Sequence, residues 1–219
     1  MILDKEKIQA VIFDMDGVLF LSGDCHERAW RETLESIGIT DFSYAAIAGM
    51  RTDDALIRMV REHGTQPEAY DLEALTAKKR QLALQFLETE GQVAPEGASL
   101  IASLRKKYRL ALASSASPKT VALFLNRSGY ADAFEVVLDG SLVEHAKPAP
   151  DIYELALRKL ALEREACVVV EDSGNGIMAA QAAGIPVIAL SQAAEEETNI
   201  KSLRPTAIVQ HLSQIQKIL

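Results

Sequence analysis

Four apolar residues, Ala10-Val11-Ile12-Phe13, run straight into Asp14-Met15-Asp16-Gly17. This junction constrains the fold more than any other stretch of the chain. An apolar run without alternation is the pattern of a strand buried on both faces of a parallel sheet. In open α/β sheets, ligands sit in the crevice outside the carboxyl ends of the strands. Two aspartates placed there, at an i, i+2 spacing, make a hard-oxygen site suited to Mg²⁺. A carboxylate held beside a metal can also attack a phosphoryl group and form an aspartyl phosphate. An acidic turn after a strand has the same local pattern, and the remainder of the chain decides between the two.

After this strand the hydrophobic period becomes helical for about seventy residues. Helices are expected over 26–37, with Trp30, Leu34 and Ile37 on one face, and over 72–87, with Leu75, Leu82 and Phe86. Thr52 and Asp53 are expected to cap another helix carrying Leu56, Met59 and Val60. No strand pattern interrupts this region. From residue 93 helices and strands alternate. Strands are predicted over 110–113, 135–138, 167–170, 187–190 and 207–209, and helices over 97–107, 118–128 and 176–183. A further helix opens at Pro148 and Pro150, Gly184 serves as a C-cap, and a last helix ends the chain. The architecture is therefore α/β: a Rossmann-like parallel sheet with helices on both faces and an inserted α-helical cap. The core takes 1–20 and 93–219, the cap 21–92. Glu195-Glu196-Glu197 is expected as a solvated helix face.

With 219 residues the chain is long enough for one large domain plus such an insert. Its net charge of −8 disfavours non-specific binding to nucleic acid or anionic membranes. Phosphate must then be bound by a few focused cations or a metal. No apolar run approaches the roughly 20 residues of a membrane span, and residues 1–10 lack a signal-peptide core. Cys25 and Cys167 match no paired spacing, so a reduced, cytoplasmic setting is expected. The pattern leaves monomer and dimer equally open.

Polar residues recur wherever a core strand ends. The strand at 110–113 runs into Ser114-Ser115-Ala116-Ser117, where a hydroxyl and the N–H groups opening a helix make a phosphate cradle. Ser117 itself is expected as the helix N-cap. The third core strand is followed by Lys147-Pro148-Ala149-Pro150, a lysine on a stiff backbone able to neutralise phosphate and carboxylate together. The fourth ends in Glu171-Asp172-Ser173-Gly174-Asn175-Gly176, two further oxygen ligands with glycines allowing a tight turn.

In this order the four segments resemble the motifs of the haloacid dehalogenase-like hydrolases, over residues 14–175. The helical insert resembles the cap of the subgroup containing β-phosphoglucomutase and many sugar-phosphate phosphatases. The resemblance implies Asp14 as nucleophile and Asp16 as acid/base, protonated at first. It implies Ser114, Ser115 and Lys147 on phosphate, with Mg²⁺ held by Asp14, Asp16 through its carbonyl, Asp172 and Glu171. His26, in His26-Glu27-Arg28-Ala29-Trp30, and Arg51 resemble cap residues that touch substrate; Lys79 or Arg80 resembles the basic cap residue of mutases. Leu21-Ser22 departs from the Asp-Ser or Asp-Thr found in mutases. The implied reaction is hydrolysis of a small phosphorylated metabolite, a sugar phosphate, with mutase-type transfer as the alternative and a non-hydrolytic phosphoacceptor behind it. Asp16 argues against a dehalogenase, the long insert against a receiver domain, and the lack of Gly-x4-Gly-Lys-Ser/Thr against a P-loop nucleotidase.

Overall fold

The computed structural model describes residues 3–191 and 194–219, side chains at 194–197 excepted. Glu195, Glu196 and Glu197 thus lie outside the described side chains. In chain order the elements are β1 (Ala10–Phe13), β2 (Phe20–Leu21), α1 (Gly23–Glu35), α2 (Tyr44–Ile47), α3 (Thr52–Glu62) and α4 (Leu72–Glu90). Then come β3 (Gln92–Val93), α5 (Gly97–Leu104), β4 (Arg109–Ala113), α6 (Pro118–Ser128), β5 (Val136–Leu138) and α7 (Asp151–Leu160). The chain closes with β6 (Cys167–Glu171), α8 (Gly174–Ala182), β7 (Val187–Leu190), α9 (Ala194–Ser202), β8 (Ala207–Val209) and α10 (Ile215–Ile218).

Six strands form one parallel sheet in the order β5-β4-β1-β6-β7-β8. The chain builds outward from β1 in one direction and then, from β6, in the other. The carboxyl end of β1 is therefore the switch point where such sheets open a crevice. Burial explains why β1 carries four apolar residues in succession: alternate side chains serve opposite cores. Val11 and Phe13 pack with Leu100, Val121, Phe124 and Ile215 on one face, while Ala10 and Ile12 pack with Ile152, Ala156, Ile177 and Ala180 on the other. Helices thus cover both faces, as expected. Among the described residues, no helix is long and apolar enough to cross a membrane.

The helical insert has a core of its own, built from Trp30, Leu34, Ile47, Leu56, Met59 and Val60. Its base is a two-stranded antiparallel ribbon pairing Phe20 with Val93 and Leu21 with Gln92. This pair is not legible in the sequence, because two residues per strand leave no period to read. Several helix ends also differ from expectation. α1 starts at Gly23, not at 26, and α5 gives way to a turn after Leu104. Thr52 is the first residue of α3 and caps nothing; the cap position belongs to Arg51, in extended backbone. Asp53 and Asp54 in that first turn complement the exposed N–H groups instead. Ser117 accepts from Thr120 N–H as expected, and Ser173 does the same for Gly176 at the start of α8. Pro150 caps α7, with Pro148 lying before it. Gly184 (φ +74°) closes α8: its N–H bonds Gln181 and that of Ile185 bonds Ala180, a Schellman ending.

Candidate active site

Asp14, Asp16, Ser114, Lys147, Glu171 and Asp172 all gather at the carboxyl ends of β1, β4 and β6. Lys147 is the centre of the assembly. Its Nζ lies 2.5 Å from Asp14 Oδ1, 2.7 Å from Glu171 Oε1 and 3.2 Å from the Ala113 carbonyl. The lysine is fully buried, so three acceptors fill all three of its donors away from water. Burial works against its charge, but Asp14 and Glu171 outweigh that and hold its pKa well above the ordinary lysine value.

Glu171 is the anchor of that lysine. Its Oε1 also accepts from the Tyr153 hydroxyl at 2.8 Å, and its Oε2 accepts from Asp172 N–H, Ser173 N–H and Ser173 Oγ at 3.0–3.1 Å. Burial and the Glu171 charge keep the Tyr153 phenol protonated, as a donor must be. Gly176 makes room: a Cβ there would stand 1.7 Å from Glu171 Oε1.

Asp14, Glu171 and Asp172 can each bring a carboxylate oxygen within 4.8 Å of the others. Burial raises the pKa of both Asp14 and Asp172 well above the ordinary carboxylate value; Lys147 opposes it at Asp14, while the neighbouring carboxylates add to it at both. A crowd of buried oxygens short of positive charge is the donor set a hard divalent cation requires. Asp14 and Asp172 have the freer carboxylates, since both oxygens of Glu171 are already engaged. Gly17 brings the first loop against them; with φ +77°, a Cβ on it would meet Asp172 Oδ2 at 1.8 Å.

The Asp16 side chain stands apart from the three. Its Oδ1 accepts from Ser22 Oγ at 2.6 Å and faces His26 Nε2 at 3.3 Å. Behind the imidazole, Lys79 Nζ approaches His26 Nδ1 at 3.1 Å. An ammonium only donates, so Nδ1 must accept and Nε2 must carry the hydrogen that points at Asp16. Burial lowers the Lys79 pKa to about 8, with Asp16 opposing, which leaves the lysine mostly charged at neutral pH. Burial and that neighbouring charge in turn hold His26 below its usual value. Although burial tends to raise the Asp16 pKa, His26, Ser22 and Lys79 prevail and lower it. That direction favours the carboxylate form of Asp16, where the resemblance implies a protonated one at the start of the reaction. Between Lys79 and Arg80, the site uses Lys79; Arg80 turns to Asp53 at 4.0 Å.

Above these groups lies a cavity of about 280 Å³ between core and cap. Asp14, Asp16 and Asp172 form its floor with Ser115 and Ala116; His26, Trp30, Tyr44, Thr52 and Lys79 line the cap side. Asp14 Oδ1 is held by Lys147, and no described residue hydrogen-bonds its Oδ2. Ser114 is buried beneath the floor, where its Oγ accepts from Ala116 N–H at 3.0 Å. It shapes the cradle, and Ser115 reaches the cavity. Arg51 does not line the cavity. Its guanidinium turns outward to the Val143 carbonyl at 3.0 Å and to Asp53 at 2.8 Å and Asp54 at 3.2 Å. It fastens cap to core, as Asn175 does by donating to the Ala46 and Ala48 carbonyls at 3.2 and 2.8 Å. Tyr44, Thr52 and Tyr153 escaped the sequence reading, because nothing local distinguishes them from ordinary helix residues.

A Rossmann-like sheet with an inserted helical cap, and a buried lysine paired with two of the acidic groups at the strand ends, defines a class of hydrolases. A haloacid dehalogenase-like hydrolase model matches residues 8–184, and the chain belongs to that family. It is 33% identical over 192 residues to Protein CbbY of Cereibacter sphaeroides, covering 83% of each chain. It is also 31% identical over 180 residues to a phosphorylated carbohydrates phosphatase of Thermotoga maritima, covering 81% of this chain and 82% of the other. The crystal structure of CbbY from Rhodobacter sphaeroides in complex with phosphate superposes with a TM-score of 0.79 at 29% identity, over 95% of this chain and 96% of that one.

Proposed function

We propose that the protein hydrolyses a small phosphomonoester, a sugar phosphate, through an aspartyl phosphate on Asp14, with Mg²⁺ as cofactor. The observation that carries this reading is the grip of Lys147 on Asp14 at the sheet's switch point. One oxygen is fixed by the ammonium, and the other is left facing the cavity. A carboxylate so oriented is a positioned nucleophile. The phosphorylated-carbohydrate phosphatase among the relatives supports the substrate class.

Asp14 and Asp172, with Glu171 beside them, would hold the metal. When bound, Mg²⁺ supplies the positive charge that lets a carboxylate approach a phosphate. Asp14 attacks phosphorus in line with the departing sugar oxygen. Lys147, by its charge, and the Ser115 N–H in the loop before α6 balance the charge on the equatorial oxygens. Asp16 begins as a carboxylate, and the arriving phosphate raises its proton affinity by like-charge repulsion. The proton it takes up from solvent passes to the leaving oxygen, and the regenerated carboxylate removes a proton from the water that cleaves the aspartyl phosphate. His26, steadied by Lys79, keeps Asp16 aimed.

The test is Mg²⁺-dependent phosphate release across sugar phosphates, phosphoglycolate and nucleotides, with Asp14→Asn as control. Release that needs Mg²⁺ and vanishes in the variant supports the reading. Near-normal turnover by Asp14→Asn ends it.

A further inference from the structure

We infer that the cap half of the cavity takes the uncharged, hydroxyl-bearing end of a singly phosphorylated substrate, with the Tyr44 hydroxyl as the donor that selects it. This rests on the reading of the site as a phosphomonoesterase and names the kind of leaving group it accepts.

Two independent observations lead there. The first concerns charge. Lys79 is the only lysine or arginine among the described residues lining the cavity. It is buried, already directed at His26 Nδ1, and lies 5.0 Å from the Trp30 ring. Arg51 is committed to the Val143 carbonyl and two aspartates, and Arg80 turns to Asp53. A second phosphate on the cap side would meet one shared ammonium, three carboxylates on the opposite floor, and the apolar faces of Trp30, Ile47 and Met50. A buried phosphate so poorly compensated is costly, whereas a neutral polyol end is not.

The second concerns donors. Tyr44 opens the short helix α2 and lines the cavity half-buried, and none of the described residues hydrogen-bonds its hydroxyl. Burial, then the charges of Asp16 and Asp172, hold its pKa well above the usual phenol value, so the group is a donor. Thr52 lines the same wall with its hydroxyl likewise free among the described residues, since it does not cap α3. Hydroxyls against apolar rings are how a site recognises a sugar rather than a second anion. A site built to bond a substrate hydroxyl also discriminates against leaving groups that lack one.

The experiment compares glucose 1-phosphate and fructose 1-phosphate with their 1,6-bisphosphates and with p-nitrophenyl phosphate. Wild-type and Tyr44→Phe proteins are assayed, with melting curves confirming that both are folded. Wild type is expected to have a kcat/KM at least about tenfold lower for each bisphosphate than for its monophosphate. Tyr44→Phe is expected to lower the ratio of sugar-phosphate to aryl-phosphate kcat/KM by about threefold to tenfold, the value of one neutral hydrogen bond. A merely structural role would depress both substrates alike and leave that ratio unmoved. Bisphosphates used as well as monophosphates, or an unchanged ratio in Tyr44→Phe, overturns the inference while leaving the phosphatase reading intact. If wild type releases no phosphate even from the aryl ester, the phosphatase reading itself fails and takes the inference with it.

Discussion

Replacing Lys147 by methionine keeps the length and most of the volume of the side chain and removes only its charge and donors. The wild-type ammonium lies 2.5 Å from Asp14 and 2.7 Å from Glu171, and none of the three side chains is more than 7% exposed. Breaking a buried ion pair from one side leaves the partner charge uncompensated, at about 3–5 kcal/mol. Here two partners are orphaned within 4.8 Å of each other and of Asp172, so the upper part of that range applies at pH 7. For a chain of this size each kcal/mol moves Tm by roughly 2–4 °C, which makes the expected fall about 8–20 °C. The loss also has a pH signature. Without the lysine, Asp14 loses the neighbouring charge that lowers its pKa, and its folded-state value rises further above the unfolded one. Such groups contribute stability below the unfolded pKa and lose it as pH rises through the folded pKa. Lys147→Met should therefore lie closest to wild type near pH 4–5 and fall away toward neutrality. Urea unfolding of both proteins across that range checks it. A deficit at pH 7 under about 1 kcal/mol, or one that grows on acidification, refutes the electrostatic account of the site.

The opposite outcome is expected for Lys79→Met. Burial lowers this lysine from 10.5 to about 8, so the unfolded chain holds the proton more tightly and wild-type stability should rise with pH between those values. Methionine removes the cost of the buried charge and should stabilise the protein at pH 7 by up to about 3 kcal/mol. Phosphatase turnover should fall as His26 loses its partner, and denaturation and kinetics read the two effects separately. Gly17→Ala should abolish the stabilisation that Mg²⁺ confers on wild type, because its Cβ would overlap Asp172 Oδ2 at a backbone angle only glycine accepts readily. Melting curves with and without Mg²⁺ decide it.

The core was legible because its signals are local. β1 needs apolar residues on both faces, and Ala10–Phe13 supplies them without a break; Lys147, Glu171 and Asp172 announce themselves as charges at strand ends. What stayed hidden depends on contacts distant in sequence. β2 and β3 are two residues each and exist only because Phe20 meets Val93 across the whole insert. Arg51 stands two residues after a glycine in the cap and reads as a substrate contact, yet its direction is set by carbonyls on the loop after β5, some ninety residues away. Ser114 and Ser115 are adjacent and chemically alike, and only the turn that brings Ala116 N–H onto Ser114 Oγ distinguishes the buried one. Tyr44 sits in a four-residue helix too short to show a period, and its role emerges only when the cap folds over the floor. His26 and Lys79 were legible as candidates, but their order, imidazole against Asp16 and ammonium behind, required the packing of α1 on α4.

In the proposed reaction Asp14 carries the phosphoryl group. The most direct measurement is rapid acid quench during turnover of a phosphate-labelled sugar phosphate, followed by peptide mapping. Label is expected on the peptide containing Asp14, formed and lost at rates compatible with turnover, and absent from Asp14→Asn. Steady phosphate release with no label on that peptide, or label persisting there in Asp14→Asn, would contradict it.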